Sequence, residues 1–397
     1  MEVGEIYLVL LEISLLMFVA EASRGAAARL GVPGVVGELL AGIALSPYAL
    51  GALLNSVLGF QLIAINGYVE LFAQFSVTVL VFASGLEQGI SGIRRAGAWG
   101  LLGAAFGALL PFLGVAAAFW AGAGPSAALL LGAASAATSL AVASAISSEV
   151  GFSGPALDFL LTAGAMDDVV ALIILSTSMA ASAGLSSPSR LISVVLYYLV
   201  AWALIFATSV LVLPRAANAL GERYAFSFAF LALFGLSAAM VALGFSPIIA
   251  AYIAGVALSS SRHSQAFRRL ATGLSALFGP LFFVIAGEEF DVREFTLIVI
   301  PAALALTAIA MALKFAGILP FAYGATRDLQ GSVAASLGML PRGEMGLAIA
   351  LAGLSAGILD GALYASVVLM VILTTVAGSL LFSRYARRCR FKGGDAP

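Results

Sequence analysis

Apolar runs about 18 to 25 residues long follow one another from end to end of the chain, separated by short loops marked by Gly, Pro and charge. A helix of that length crosses a hydrocarbon core roughly 30 Å thick. Lipid offers backbone amides no partner, so such segments satisfy their own hydrogen bonds as helices. The sequence therefore predicts an all-α integral membrane protein with no stretch left for a soluble domain. Of its 397 residues, 62% are hydrophobic and 10% charged, far from the composition of soluble domains.

Hydropathy predicts spans over residues 5–21, 34–52, 67–86, 96–121, 126–148, 156–181, 190–213, 226–243, 246–260, 272–287, 296–319, 331–354 and 361–383. These make thirteen transmembrane helices, an odd number, which puts the termini on opposite faces. With the C terminus inside, fifteen basic residues fall in or beside inside loops, against Arg190 and Arg293 outside. The positive-inside rule thus predicts a multi-pass protein of the plasma or inner membrane, N terminus outside and C terminus cytoplasmic.

The first segment runs into Ala20-Glu-Ala-Ser23, which looks like a signal-peptidase site, but Glu2 and Glu5 stand where a signal peptide needs positive charge. It is expected to be retained. A single cysteine, Cys389, excludes a disulfide framework. The lone His263 lies among arginines in a loop and reads as solvated. No nucleophile and base, and no cluster of metal ligands, stands out, so neither an enzyme nor a resident cofactor is expected, and no nucleic-acid partner.

Charges within the spans are the informative exceptions, because each costs about 2.5 to 3.5 kcal/mol at a helix centre unless paired or hydrated. Asp167 and Asp168 lie mid-span in AMDDVVALIILSTSM, Arg342 and Glu344 near the middle of the twelfth span, Glu38 just inside the second and Lys314 in the eleventh. Helical neighbours point about 100° apart, so the two aspartates face different partners and cannot share one proton. This and the absence of a GxGD sequence weigh against an intramembrane aspartyl protease. Arg342 and Glu344 read as an ion pair pinning a helix break or as functional charges. Lys314 either snorkels to the cytoplasmic interface or serves where a group must release its proton, which lysine can do and arginine cannot. Glu12, Glu38 and Glu70 read as structural or interfacial.

Two spans carry signs of interruption. Small residues and hydroxyls occupy the centre of the fifth, Ala136-Ala-Thr-Ser139, while the twelfth holds Pro341 and Gly343, which remove a backbone donor and loosen the helix. The fifth helix of the set 1–6 matches the twelfth helix of the set 8–13 in position, and the two sets have opposite membrane orientation. Such inverted repeats with discontinuous helices characterise secondary transporters, whose midplane ion sites lie at the breaks. Helix ends meeting there require compensating charge, which Asp167, Asp168 and Lys314 are placed to supply.

Several motifs resemble the monovalent cation/proton antiporters, in particular the Asp-Asp branch that includes bacterial and archaeal sodium/proton antiporters. They are Gly37-Glu-Leu-Leu-Ala-Gly-Ile, Phe82-Ala-Ser-Gly-Leu-Glu87, Ala137-Thr-Ser139, Met166-Asp-Asp-Val169, Ser246-Pro-Ile-Ile-Ala-Ala251, Lys314 and Met339-Leu-Pro-Arg-Gly-Glu-Met-Gly-Leu347. They occur in order over nearly the whole chain. The resemblance implies that the two discontinuous helices cross. It also implies scaffold and dimerisation helices in 1–95 and 222–294, core helices in 96–186 and 295–383, a connecting helix in 187–221 and a basic cytoplasmic tail in 384–397. A homodimer is implied as well. Asp168 would bind the monovalent cation or the proton, Asp167 would pair with Lys314, and Thr138 and Ser139 would coordinate or cap the crossing. Arg342, Glu344 and Glu38 would be structural intramembrane charges.

The expected function is exchange of Na⁺ or Li⁺ for H⁺ by alternating access, electrogenic, with cation and proton competing for Asp168. The ions and the lipid bilayer are the expected partners. Potassium-exporting relatives often carry a nucleotide-sensing domain after the membrane part, whereas here a short basic tail follows, which favours sodium over potassium. A K⁺/H⁺ antiporter or a sodium-coupled organic-anion symporter of the same architecture remains the alternative, with a channel further off.

Overall fold

The structure is a computed structural model and describes residues 3–95, 97–184, 188–243, 245, 247–294 and 299–388. Ser246 and the tail beyond Arg388, with Cys389, Arg390 and Lys392, lie outside the described residues. All long regular elements are α-helices: α1 (Val3–Arg29), α2 (Gly34–Leu45), α3 (Leu50–Leu58), α4 (Gly67–Arg95), α5 (Gly97–Ala123), α6 (Pro125–Ala134), α7 (Leu140–Val150) and α8 (Pro155–Gly184). The second half continues with α9 (Pro188–Leu220), α10 (Ala225–Ala242), α11 (Pro247–Leu258), α12 (Ser264–Glu288), α13 (Val299–Thr326), α14 (Leu329–Gly338), α15 (Glu344–Ser355) and α16 (Gly361–Arg388). Proline opens α6, α8, α9 and α11, where its missing N–H would have no intrahelical partner and its fixed φ suits the first turn.

Among the described residues, nine helices are long and apolar enough to cross a membrane, or ten if α2 and α3 count as one bent span. The other predicted spans fall on shorter pieces: α6 with α7, α11, and α14 with α15. The second span was expected to be continuous, yet it bends by 47° between α2 and α3. Pro47 lies in that break and cannot donate to a ladder, and the Ser46 hydroxyl donates instead to the Phe290 carbonyl at 3.0 Å.

Two groups of helices pack within themselves. In one, α5 lies on α13, α6 and α8, and α16 lies on α13, α14 and α15; in the other, α4 lies on α11 and α12, and α12 on α1 and α2. Among the long spans α8 is the most enclosed, with 75% of its apolar window buried, against 17% for α9. The element carrying both aspartates is thus central, and α9 lies at the periphery. The interrupted pairs α6–α7 and α14–α15 hold the corresponding places predicted for inverted repeats. They meet directly, since the Ser139 N–H donates to the Pro341 carbonyl at 2.9 Å.

Candidate functional site

The breaks fall where sequence placed them. Helix α6 ends at Ala134 and α7 begins at Leu140; α14 ends at Gly338 and α15 begins at Glu344. Each break frees backbone groups that lipid cannot satisfy. The Ala136 carbonyl accepts from Lys314 Nζ at 2.7 Å and from an Arg342 Nη at 3.0 Å. The same guanidinium donates to the Ala137 and Ala310 carbonyls. Thr138 donates its hydroxyl to the Met339 carbonyl at 3.1 Å, and Thr375 donates to the carbonyl of Arg342. Cations therefore sit at the carbonyl end of α6, where the helix dipole is negative. Glu344 occupies the first turn of α15, where it is positive.

Arg342 and Glu344, expected as a possible mutual ion pair, are not within ion-pair distance in the described residues; each serves the other broken helix instead. Arg342 holds the carbonyls after α6, while Glu344 accepts the Ser139 hydroxyl at 3.2 Å. The orphan carbonyls outcompete the neighbouring acid because buried acceptors without donors are costly.

Lys314 does not snorkel. Its ammonium is fully buried and reaches both Asp167 oxygens, at 2.6 and 2.7 Å. Asp168, 5% exposed, turns elsewhere and accepts from Gln88 Nε2 at 2.8 Å and from the Ser84 hydroxyl at 3.3 Å. Tyr252 on α11 donates its hydroxyl to Gln88 Oε1, which fixes the amide so that its NH₂ faces the acid. Gly89, with φ 57°, ends the regular helix just after Gln88. Glu38 is fully buried and bound at 2.5 Å by Arg24, which ties α1 to α2.

Sequence reasoning passed over Gln88 and Tyr252, and it quoted Ser84 without giving it a role. The available signal was the Ser84–Gln88 spacing, which puts two polar groups on one face of an apolar helix. Both residues line a cavity of about 920 Å³ bounded also by Glu344, Leu140 and the exposed starts of α5 and α8. The cavity leads from the face carrying Pro155 and Asp158 to the partners of Asp168.

A buried carboxylate whose hydrogen-bond donors line an open cavity, beside a lysine-neutralised acid and two interrupted helices, belongs to the class of ion-coupled secondary carriers. A sodium/hydrogen exchanger transmembrane model matches residues 14–387, and the chain belongs to that family. A Na⁺/H⁺ antiporter of Enterococcus hirae is 25% identical over 91% of this chain and 93% of its own length. The Na⁺/H⁺-K⁺ antiporter GerN of Bacillus cereus is 29% identical over 92% of this chain and 93% of its own. Among solved structures, the sodium proton antiporter MjNhaP1 of Methanocaldococcus jannaschii at pH 8 superposes with a TM-score of 0.70 at 16% identity, covering 98% of this chain and 99% of that one. That likeness concerns the fold.

Proposed function

We propose that the protein exchanges Na⁺ or Li⁺ for H⁺ across the membrane, with cation and proton competing for Asp168. The observation that carries this is the contrast between adjacent acids: Asp167 is neutralised by Lys314, whereas Asp168 meets only uncharged donors next to a cavity. An ionised Asp168 offers hard oxygen ligands to a small cation, and a proton that occupies it excludes the cation. Both states cannot hold at once, and that exclusion is exchange.

Thirteen crossings with the N terminus outside fit the distribution of basic loops. In that orientation the 920 Å³ cavity opens to the cytoplasm. The core segments 96–186 and 295–383 would move past a scaffold of 1–95 and 222–294, with 187–221 as connector and the scaffold forming a homodimer. Two acids and a lysine allow more than one proton per cation, hence electrogenic exchange. Arg342, Glu344, Thr138 and Ser139 hold the crossing together while the core moves.

The test is Asp168→Asn in proteoliposomes with an entrapped pH dye, given Na⁺, Li⁺ or K⁺ with and without an imposed potential. Exchange should vanish in the variant and, in the wild type, depend on Na⁺ or Li⁺ and respond to the potential. Full exchange by the variant would overturn the assignment of Asp168, and flux with K⁺ alone would replace sodium by potassium.

A further inference from the structure

A second pair of acids is buried away from the crossing and without a base. Glu12 on α1 is 2% exposed, and Glu288, the last residue of α12, is 0% exposed. Glu12 accepts the Ala64 N–H at 2.6 Å and a bond from the side chain of Asn66, in the segment between α3 and α4. Neither oxygen of Glu288 receives a bond from any N–H or hydroxyl group among the described residues. The side chain that faces the Glu288 carboxyl is the carboxyl of Glu12, across the packed α1–α12 seam.

Two ionised carboxyls are acceptors only, so a hydrogen bond between them exists only when one carries a proton. Among the described residues no positively charged group is recorded against either carboxyl. The charged groups recorded against the pair are further acids: Glu289, just past the end of α12, and Glu70 on α4 facing Glu289. Tyr364 of α16 approaches Glu289 but gives its hydroxyl to the Ala286 carbonyl. Helix α2 presents backbone, with Gly42 pressed against Gly287 and the Val284 carbonyl. Arg293, past the helix end, engages Asp291 and the ring of Tyr48. Like charges in contact in such a dry interior repel strongly, and burying both without a counter-charge is worse still.

We propose that Glu12 and Glu288 form a second proton-binding site, separate from Asp168, in which two carboxyls hold one proton and so fasten α1 and the α3–α4 segment to the end of α12. When that proton leaves to solvent, the pair carries two negative charges and its hydrogen bond is lost. The stability it supplies is therefore present at low pH and disappears as pH rises.

Thermal unfolding of the full chain in detergent, across a pH series without sodium, together with infrared spectra of the carboxylic C=O stretch, tests the site. Wild type should lose melting temperature toward alkaline pH. Glu288→Gln, whose amide is a permanent donor to Glu12, should flatten that loss and remove a carboxylic band that Asp168→Asn retains. Glu12→Gln should act in the same direction, guarding against a folding defect in one variant, and both should exchange ions within about two-fold of wild type. An unchanged alkaline slope with no missing band in either variant would overturn the proposal. So would a sodium-dependent rise in melting temperature that requires Glu288 in the absence of a carboxylic band, since the pair would then hold a metal cation. Neither outcome depends on Asp168 being the transport site.

Discussion

Lys314 grips both carboxylate oxygens of Asp167, at 2.6 and 2.7 Å, while Asp168, the next residue, makes no ion pair and turns to Gln88. Adjacent helical positions diverge by about 100°, and this divergence separates one acid's structural burden from the other's freedom. Lys314→Ala should cost about 3 to 5 kcal/mol, because it leaves Asp167 as an unpaired buried charge. Adding Asp167→Asn to Lys314→Ala should recover a substantial part of the lost stability, since the orphan is then neutral. Thermal unfolding of the single and double variants checks both, and strict additivity would contradict the pair's isolation.

Arg342 bridges three carbonyls, those of Ala136, Ala137 and Ala310. Truncation to alanine should strip these buried acceptors together and destabilise the protein by about 3 kcal/mol or more. Arg342→Lys should recover only part of this, because a point charge cannot span the fork of acceptors that a guanidinium reaches. Melting temperatures should rank wild type, lysine, alanine. A lysine variant as stable as wild type would show that charge alone holds the crossing.

The interruptions were legible because Pro341, Gly343 and the small polar run 136–139 disrupt apolar helices visibly, and the buried acids because charge in an apolar run is costly enough to demand a purpose. Partner choice was legible only in part: the divergence of adjacent helical residues separated Asp167 from Asp168 and the resemblance paired Asp167 with Lys314, but the partners of Arg342 and Asp168 were not. Arg342 and Glu344, close in sequence, suggested a mutual pair, but only three dimensions reveal that freed carbonyls of another helix claim the guanidinium. Gln88 was passed over because its role depends on Tyr252 arriving from α11. The bend between α2 and α3 was missed because Ser46-Pro47-Tyr48 is a short interruption that the apolar residues on either side, Gly42-Ile-Ala-Leu45 and Ala49-Leu-Gly-Ala52, outweigh.

Helices α4 and α11 touch backbone to backbone through two glycines: a Cβ at Gly255 would lie 2.2 Å from the Phe82 carbonyl oxygen, and one at Gly85 would lie 2.4 Å from that of Tyr252. Small residues at such an approach permit close packing that larger ones forbid. Gly255→Ala should force the helices apart at a cost of about 1 to 3 kcal/mol and slow exchange, because the same contact places Tyr252 against Gln88. Gly235→Ala on α10, where an added Cβ meets nothing within 4 Å, should be neutral or stabilise by up to about 1 kcal/mol. Opposite shifts in melting temperature would separate packing from helix propensity.

Gln88 gives Asp168 its shorter hydrogen bond, at 2.8 Å against 3.3 Å from Ser84, and itself is held by Tyr252. If Asp168 binds the cation, Gln88→Ala should leave the carboxylate poorly oriented, losing about 1.5 kcal/mol of binding and raising the apparent KM for sodium roughly ten-fold. Tyr252→Phe removes only the group that orients the amide, so its effect should be smaller, about two- to three-fold, and should disappear in a Gln88→Ala background. That non-additivity distinguishes a positioning chain from two independent contacts. Sodium titrations of exchange rate in proteoliposomes measure all three variants, and equal, additive effects would break the proposed chain from Tyr252 through Gln88 to Asp168.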